Sequence, residues 1–461
     1  MPAERRKRLT VARSHVHPLT RPVQSPRRKR AGASRDETTA VDRGLVRTRV
    51  TLLDATGQKH SYTLSSEVVD LLYFVTERHR IFRERLEGKP APWTKDVLLQ
   101  QRHFTNVFRV LDRCSQYCLS HVIREGPAVF KEQVFRVVAY SILGFNPVTY
   151  GYLEKTFGSP LLLESYDEHA WTRALSSINF SIGRGAYQIP APTVDQIGEG
   201  TYCARLVRLV SLMVKSEVDL ALEGCKHLRD LHIIISSYPS MTAFLGYQVV
   251  LNLNMIPALS CPEDWAQPGP GAVKGLRAIF GDDLGTQMMV PAMEWLRKHF
   301  SELAIEAGYP MRQVPALKAD SPGFTLCDIE HLLCEFHKYR SAPSDGKGCR
   351  RYEGSISTVT VPVTEHLPKN WVHHDLACQR RDDSYAFPPA DEDEEYMPLS
   401  VLEEKYPGTP NHQYRVRWDG YPPEFDTWEP AKSLSESSPT VVGCFRKRID
   451  KVAMMLSEYT S

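Results

Sequence analysis

The stretch Tyr414-Arg415-Val416-Arg417-Trp418-Asp419-Gly420-Tyr421-Pro422-Pro423-Glu424-Phe425-Asp426-Thr427-Trp428-Glu429-Pro430 decides how the end of the chain is read. Tyr414, Val416 and Trp418 alternate with Arg415 and Arg417, the period-two signature of a half-buried strand. Asp419-Gly420 is a hairpin signal, since these residues tolerate the positive φ of a tight turn. Trp428 follows the turn and Pro430 stops the run. From about Thr440 to Lys451, Val441, Val442, Phe445 and Ile449 recur at helical spacing, so a helix should pack back on the sheet.

Two tryptophans ten apart around a Gly-aromatic turn, closed by Thr-Trp-Glu-Pro, resemble a chromodomain, the small α+β module that reads methyl-lysine on histone tails. The resemblance implies a three-stranded curved sheet with a C-terminal helix over residues 394–452. It also implies an aromatic cage at Tyr396, Trp418 and Tyr421, with Trp428 in the core. A methylated ammonium is bulky and weakly hydrated, and aromatic faces attract its charge. The histone tail is the implied partner, clasped by backbone hydrogen bonds, one of which Pro398 cannot donate.

Outward from this module, the chain has 461 residues and 42% hydrophobic and 24% charged content, ordinary for a multidomain globular protein. There is no run of about 18 apolar residues, so no membrane span is expected. The basic N-terminus lacks the apolar core of a signal peptide, which argues against secretion. Ten cysteines contain no Cys-x-x-Cys pair and are read as reduced thiols; no metal or cofactor is expected. The net charge of +2 conceals segregation. Residues 1–35 hold eleven Lys/Arg against Glu4, in two clusters at 5–8 and 27–30, whereas Asp391–Glu395 is an unbroken acidic run. Such basic clusters suit nuclear import or contact with DNA phosphates, and equally a solvated tail. Residues 1–45 read as disordered and 342–393 as a linker, with Ser355–Val363 a candidate strand.

Residues 46–341 begin with a short hairpin around Thr56-Gly57 and are then helical by periodicity. Predicted helices include Val97–Ile123, Tyr202–Leu222, Met241–Asn252, Ala272–Phe280 and Leu326–Lys338. Four constellations stand out. On a helix, Thr105, Arg109 and Asp112 share a face, flanked by Asn106 and Arg113, a pattern able to bind phosphate or orient a nucleophile and equally a paired solvent face. Tyr247-Gln248 lies inside an apolar helix, and a buried Gln needs partners that base edges would supply. Pro268-Gly269-Pro270-Gly271 reads as a tight hairpin whose amides, with Lys274, would attract a phosphate, or as a simple loop and cap. His331, Glu335 and Lys338 share a helix face suited to acid–base work or to structural hydrogen bonds.

As an ordered set, Phe104-Thr105-Asn106-Val107-x-Arg109-x-x-Asp112-Arg113, Tyr247-Gln248, Pro268-Gly-Pro-Gly271 and Glu335-x-x-Lys338-Tyr339 resemble the α-glutamyl/putrescinyl thymine pyrophosphorylases. That group is related to the helical domain of hydroxymethyluracil DNA kinases and similar in fold to helix-hairpin-helix DNA glycosylases. The resemblance implies a helical domain in which an amine displaces pyrophosphate from the activated 5-methylene group of a DNA base. It would have Asp112 and Glu335 as catalytic candidates. Thr105, Asn106, Arg109, Arg113, Tyr247, Gln248, Gly269, Gly271, Lys274 and Lys338 would contact DNA or phosphate. A non-catalytic chromatin adaptor and a base-excising glycosylase are the alternatives. No kinase P-loop is present, so the chain is not expected to activate the base itself. The oligomeric state stays open.

Overall fold

The computed structural model describes residues 48–54, 57–178, 188–317, 323–342, 396–421 and 423–461. The basic clusters, the candidate strand at 355–363 and the acidic run lie outside the described residues.

The first hairpin forms as its alternation predicts. Arg49–Leu53 (β1) pairs antiparallel with Lys59–Thr63 (β2), burying Val50 and Leu52. A 20-residue helix follows, Glu67–Leu86 (α1), whose acidic first turn and basic last turn complement its dipole.

The single helix predicted over Val97–Ile123 is a correction. It breaks into Val97–Gln101 (α2), an irregular run over 102–108, a 3₁₀ turn at Arg109–Leu111, Arg113–Tyr117 (α3) and a π-helical turn at Cys118–Ile123. Thr105, Arg109 and Asp112 therefore do not share a helix face. Side chains take the amides that a helix ladder would have used. The Thr105 N–H donates to Glu335 Oε2 at 2.9 Å, the Asn106 N–H to Asp112 Oδ1 at 2.8 Å and the Arg109 N–H to Asp328 Oδ1 at 3.2 Å.

The remaining helices are Phe130–Ile142 (α4), Pro147–Phe157 (α5), Glu168–Ser177 (α6), Val194–Ile197 (α7), Tyr202–Lys215 (α8), Val218–Leu222 (α9), Leu228–Ser236 (α10), Ala243–Leu253 (α11), Pro270–Phe280 (α12), Met289–Glu306 (α13) and Leu326–Ser341 (α14). The predicted Tyr202–Leu222 helix splits because Glu217 adopts a left-handed conformation (φ +61°). One continuous apolar core runs through these helices, with α4 and α8 near its middle.

The C-terminal module is a three-stranded antiparallel sheet, Pro398–Lys405 (β3), Gln413–Trp418 (β4) and Thr427–Pro430 (β5), in the order β3-β4-β5. Two helices follow, Ala431–Ser437 (α15) and Pro439–Thr460 (α16). Val401, Tyr414, Val416, Leu434, Val442 and Phe445 form a small core of their own, with Trp418, Val441 and Ile449 against it. Trp428, expected in that core, is instead half-buried, with Lys405 Nζ 4.0 Å from its ring centre.

The last helix outruns its predicted end by two turns, and these pack on the helical domain. Val452, Met455, Leu456 and Tyr459 join the large core. Tyr459 donates its hydroxyl to Glu168 at 2.8 Å, and Arg208 lies over its ring. Gly198 (φ +80°) makes this contact feasible, since a Cβ there would lie 1.7 Å from the Tyr459 carbonyl oxygen.

Candidate functional site

Helix α14 organises the candidate site. Thr325 caps it in a reciprocal box with Asp328, fixing its first turn. Its next turns present Glu330, His331, Glu335 and Lys338. The irregular 102–112 segment lies against it because that segment's free amides find α14's carboxylates.

Thr105, Asn106 and Asp112 meet His331 and Glu335 here. His331 Nε2 lies 2.9 Å from Thr105 Oγ1, 3.0 Å from the Asn106 carbonyl oxygen and 3.7 Å from Asp112 Oδ2. A carbonyl only accepts, so Nε2 carries the hydrogen. Burial pushes the His331 imidazole down to about 4, which keeps it neutral. Burial also pushes the Asp112 carboxyl up to about 7, against the stabilising Asn106 N–H and the nearby Arg78 and Arg109 charges. A buried carboxyl raised in this way is of the kind found at proton-transfer sites. Glu335 holds the Thr105 amide, and Lys338 Nζ is 3.2 Å from Glu335 Oε2 and 2.5 Å from the His103 carbonyl oxygen.

Arg109 points inward. Its guanidinium donates to Gln248 Oε1 and to Asn252 Oδ1, the latter at 3.1 Å, and Asn252 donates onward to Ser141 Oγ at 3.0 Å. A cavity of about 20 Å³, sized for a water molecule, lies beside Arg109, Glu263, Thr325 and Asp328. Glu263 and Asp328 sit together there and burial raises both carboxyls. Glu263 also accepts the Thr325 hydroxyl at 2.7 Å. Sequence reasoning missed these two and Glu330. Thr325-x-x-Asp328 was a readable capping box, whereas Glu263 carried no local signal.

Three expectations are corrected. Tyr247 is fully buried with its ring edge-on to Trp265, so it offers no face to a base. Gln248 is satisfied by Arg109 rather than awaiting a base edge. The Pro-Gly-Pro-Gly stretch is no phosphate hairpin: Gly269 caps α12, its N–H donates to buried Glu330 at 3.0 Å, and the Gly271 and Ala272 amides face the Cys334 sulfur. A Cβ on Gly271 would meet Cys334 Sγ at 2.6 Å, and one on Gly275 the Leu333 carbonyl at 2.8 Å, so these glycines let α12 and α14 touch. Arg113 and Lys274 are exposed on α3 and α12, outside the buried cluster.

In the C-terminal module, Tyr396 lies 6.2 Å from the Trp418 ring and 5.5 Å from the Tyr421 ring, both edge-on. The Trp418 indole N–H is fixed by Thr427 Oγ1 at 3.0 Å. Tyr396 remains 41% exposed, so the cluster is open to solvent. Pro398 falls at a register shift in the β3–β4 ladder, where a missing N–H costs little.

The family description "5-hmdU DNA kinase, helical domain" matches residues 66–348, well over half of the chain. The chain belongs to this family. A chromodomain description matches residues 397–448. The 5-hmdU DNA kinase of Bacillus phage SP10 is 24% identical over 292 residues, covering 58% of this chain and 44% of the phage protein. This chain thus spans less than half of that relative. No solved structure matches the chain.

Proposed function

We propose that the chromodomain holds this protein on chromatin in the nucleus and that the helical domain acts there on DNA. The carrying observation is the meeting of Thr105 and Asp112 with His331 and Glu335, from family-matched segments 226 positions apart at Thr105 and His331. Displacement of pyrophosphate by an amine forms a C–N bond at the 5-methylene carbon of a thymine derivative and breaks the C–O bond to pyrophosphate. The amine must shed a proton, and Asp112 accepts it. Neutral His331 holds Thr105 in place, the Asn106 N–H holds Asp112, and Glu335 orients the Thr105 backbone and Lys338. Asn106 braces the turn through its contacts to Asp112, Leu111 and His331. Exposed Arg113 and Lys274, with half-buried Lys338, suit contacts with DNA phosphates, and the base would enter flipped from the duplex. Gln248 acts on Arg109, as a positioning residue. Tyr396, Trp418 and Tyr421 would enclose a methylated lysine of a histone tail.

A second reading, a DNA-binding adaptor without turnover, is favoured by the burial of the centre: Asp112 is 9% and His331 4% exposed. One assay separates the two. The protein is incubated with DNA carrying 5-hydroxymethyluracil or its pyrophosphate, plus amines, and the DNA is digested for mass analysis of nucleosides. An amine adduct, abolished by Asp112→Asn with Glu335→Gln, supports transfer. An abasic site supports excision, and unchanged DNA that is nonetheless bound supports the adaptor.

A further inference from the structure

A cavity of about 220 Å³ opens between α1, the 91–94 segment and the end of α2. Arg78, Ile81 and Arg85 reach it from one face of α1, as their i, i+3, i+7 spacing dictates. Arg102 closes it from the residue after α2, and Trp93 forms a wall. Asp112, His331 and Glu335 do not line it, although the Arg78 charge also reaches Asp112.

The cavity is built rather than incidental. Arg78 Nε and Nη2 both donate to the Phe104 carbonyl oxygen, at 3.3 and 3.2 Å, which fixes the plane of its guanidinium. The Trp93 indole N–H donates to the Lys89 carbonyl at 2.7 Å, and Arg85 lies over the Trp93 ring at 5.3 Å. Thr94 is tied to Glu77 at 2.5 Å and to Gln100 through its carbonyl at 2.6 Å. Arg78 and Arg102 are buried, at 9% and 4% exposure. Three guanidinium side chains line this one cavity, the residue type that anion sites use. Guanidinium forks match phosphate oxygens in pairs, and an indole face takes a flat ring at little entropic cost.

We propose that this cavity binds a nucleotide, with the phosphate on the arginines and the base against Trp93. The nucleotide is either free or part of a DNA strand; the phosphate and ring chemistry is shared. The site is distinct from the base-exchange centre, since Thr105, Asp112, His331 and Glu335 do not line it.

The test is titration of the full chain with thymidine 5′-monophosphate, thymidine, inorganic phosphate and a short oligothymidylate, read by calorimetry and tryptophan fluorescence. The monophosphate should bind saturably and thymidine at least tenfold more weakly. Arg85→Gln and Trp93→Leu should each weaken the monophosphate at least tenfold. Arg85 is only half-buried, so its variant should fold even where Arg102→Gln does not; circular dichroism checks this. An oligonucleotide that competes and binds more tightly identifies the strand as the source, and one that does not compete identifies the free nucleotide. Absence of saturable binding by every phosphate probe at millimolar concentration, or full binding by folded Arg85→Gln and Trp93→Leu, overturns the proposal. Asp112→Asn should leave this binding intact, so failure here and failure of base exchange are distinguishable.

Discussion

Arg417 on β4 of the chromodomain and Asp230 on α10 of the helical domain form an ion pair at 2.5 Å, with side chains 3% and 6% exposed. Arg417 also grips Asp426 in a fork at 2.5 and 3.0 Å. The chromodomain is therefore docked through its outer sheet face as well as through the end of α16. Removing the cation would leave the Asp230 carboxylate buried without this partner, whereas Asp426 would keep Arg415 at 3.1 Å.

Arg417→Ala should accordingly cost about 3–5 kcal/mol, the range for breaking a buried pair by deleting one partner. Asp230→Ala should cost less, because Arg417 keeps Asp426. Urea unfolding measures both. Hydrogen exchange should also quicken in the last two turns of α16 in Arg417→Ala, since the two contacts hold the same module.

The alternation at Tyr414–Trp418 encoded the strand but not the fate of its polar side. Arg415 and Arg417 read as a solvent face, yet Arg417 is inside, because its partner lies 187 positions away. The same limit applies at 97–123, where apolar spacing suggested one helix. Local periodicity knows nothing of Glu335 and Asp328, whose oxygens take the Thr105 and Arg109 amides from a distance. That Thr105, Asp112, His331 and Glu335 meet was not legible, since the motifs marked them separately without placing them together. The buried Gln248–Arg109 link was half legible: a Gln in an apolar helix announces that it needs a partner, without naming it.

The glycines of α12 separate packing from ligand binding. Gly271→Ala would bring a Cβ within 2.6 Å of Cys334 Sγ and 3.2 Å of Cys334 Cα, and Gly275→Ala would meet the Leu333 carbonyl. Each should destabilise by about 1–3 kcal/mol through overpacking, whereas Lys274→Ala, exposed one turn away, should change the melting temperature little. Thermal denaturation of the three variants checks the ordering.

The buried carboxyls give stability a defined pH dependence. Burial holds Glu330 at about 7, above its unfolded value near 4.5, although the Gly269 N–H favours the anion. Between these values the unfolded chain has released the proton and the folded chain keeps it, so this group makes stability fall as pH rises. Glu330→Gln keeps an acceptor for Gly269 and removes the titration. Its stability relative to the parent protein should therefore improve from pH 5 to pH 8, by up to about 3 kcal/mol at ~1.36 kcal/mol per unit. Comparing the two proteins at each pH cancels the opposite effect of His331, whose depressed value weakens the fold below about 6. A constant gap across pH would show that Glu330 is ionised in the fold throughout.

The aromatic cluster of the chromodomain should discriminate by charge and by hydration. A trimethyl-lysine peptide should bind between Tyr396, Trp418 and Tyr421, each ring expected to contribute about 0.5–2 kcal/mol of cation–π attraction, and the unmodified peptide, whose ammonium stays hydrated, should bind more weakly. Trp418→Ala should weaken the methylated peptide the most, about tenfold or more, because it removes a face and also frees Thr427 from the indole N–H. Tyr396→Phe should change little, since the ring and not the hydroxyl meets the cation. Fluorescence anisotropy with labelled histone peptides measures the series. Equal affinity of the parent protein and Trp418→Ala would remove the cage, whereas a loss shared equally by methylated and unmethylated peptides would assign Trp418 to the sheet's packing against Val401 and Val416 rather than to recognition.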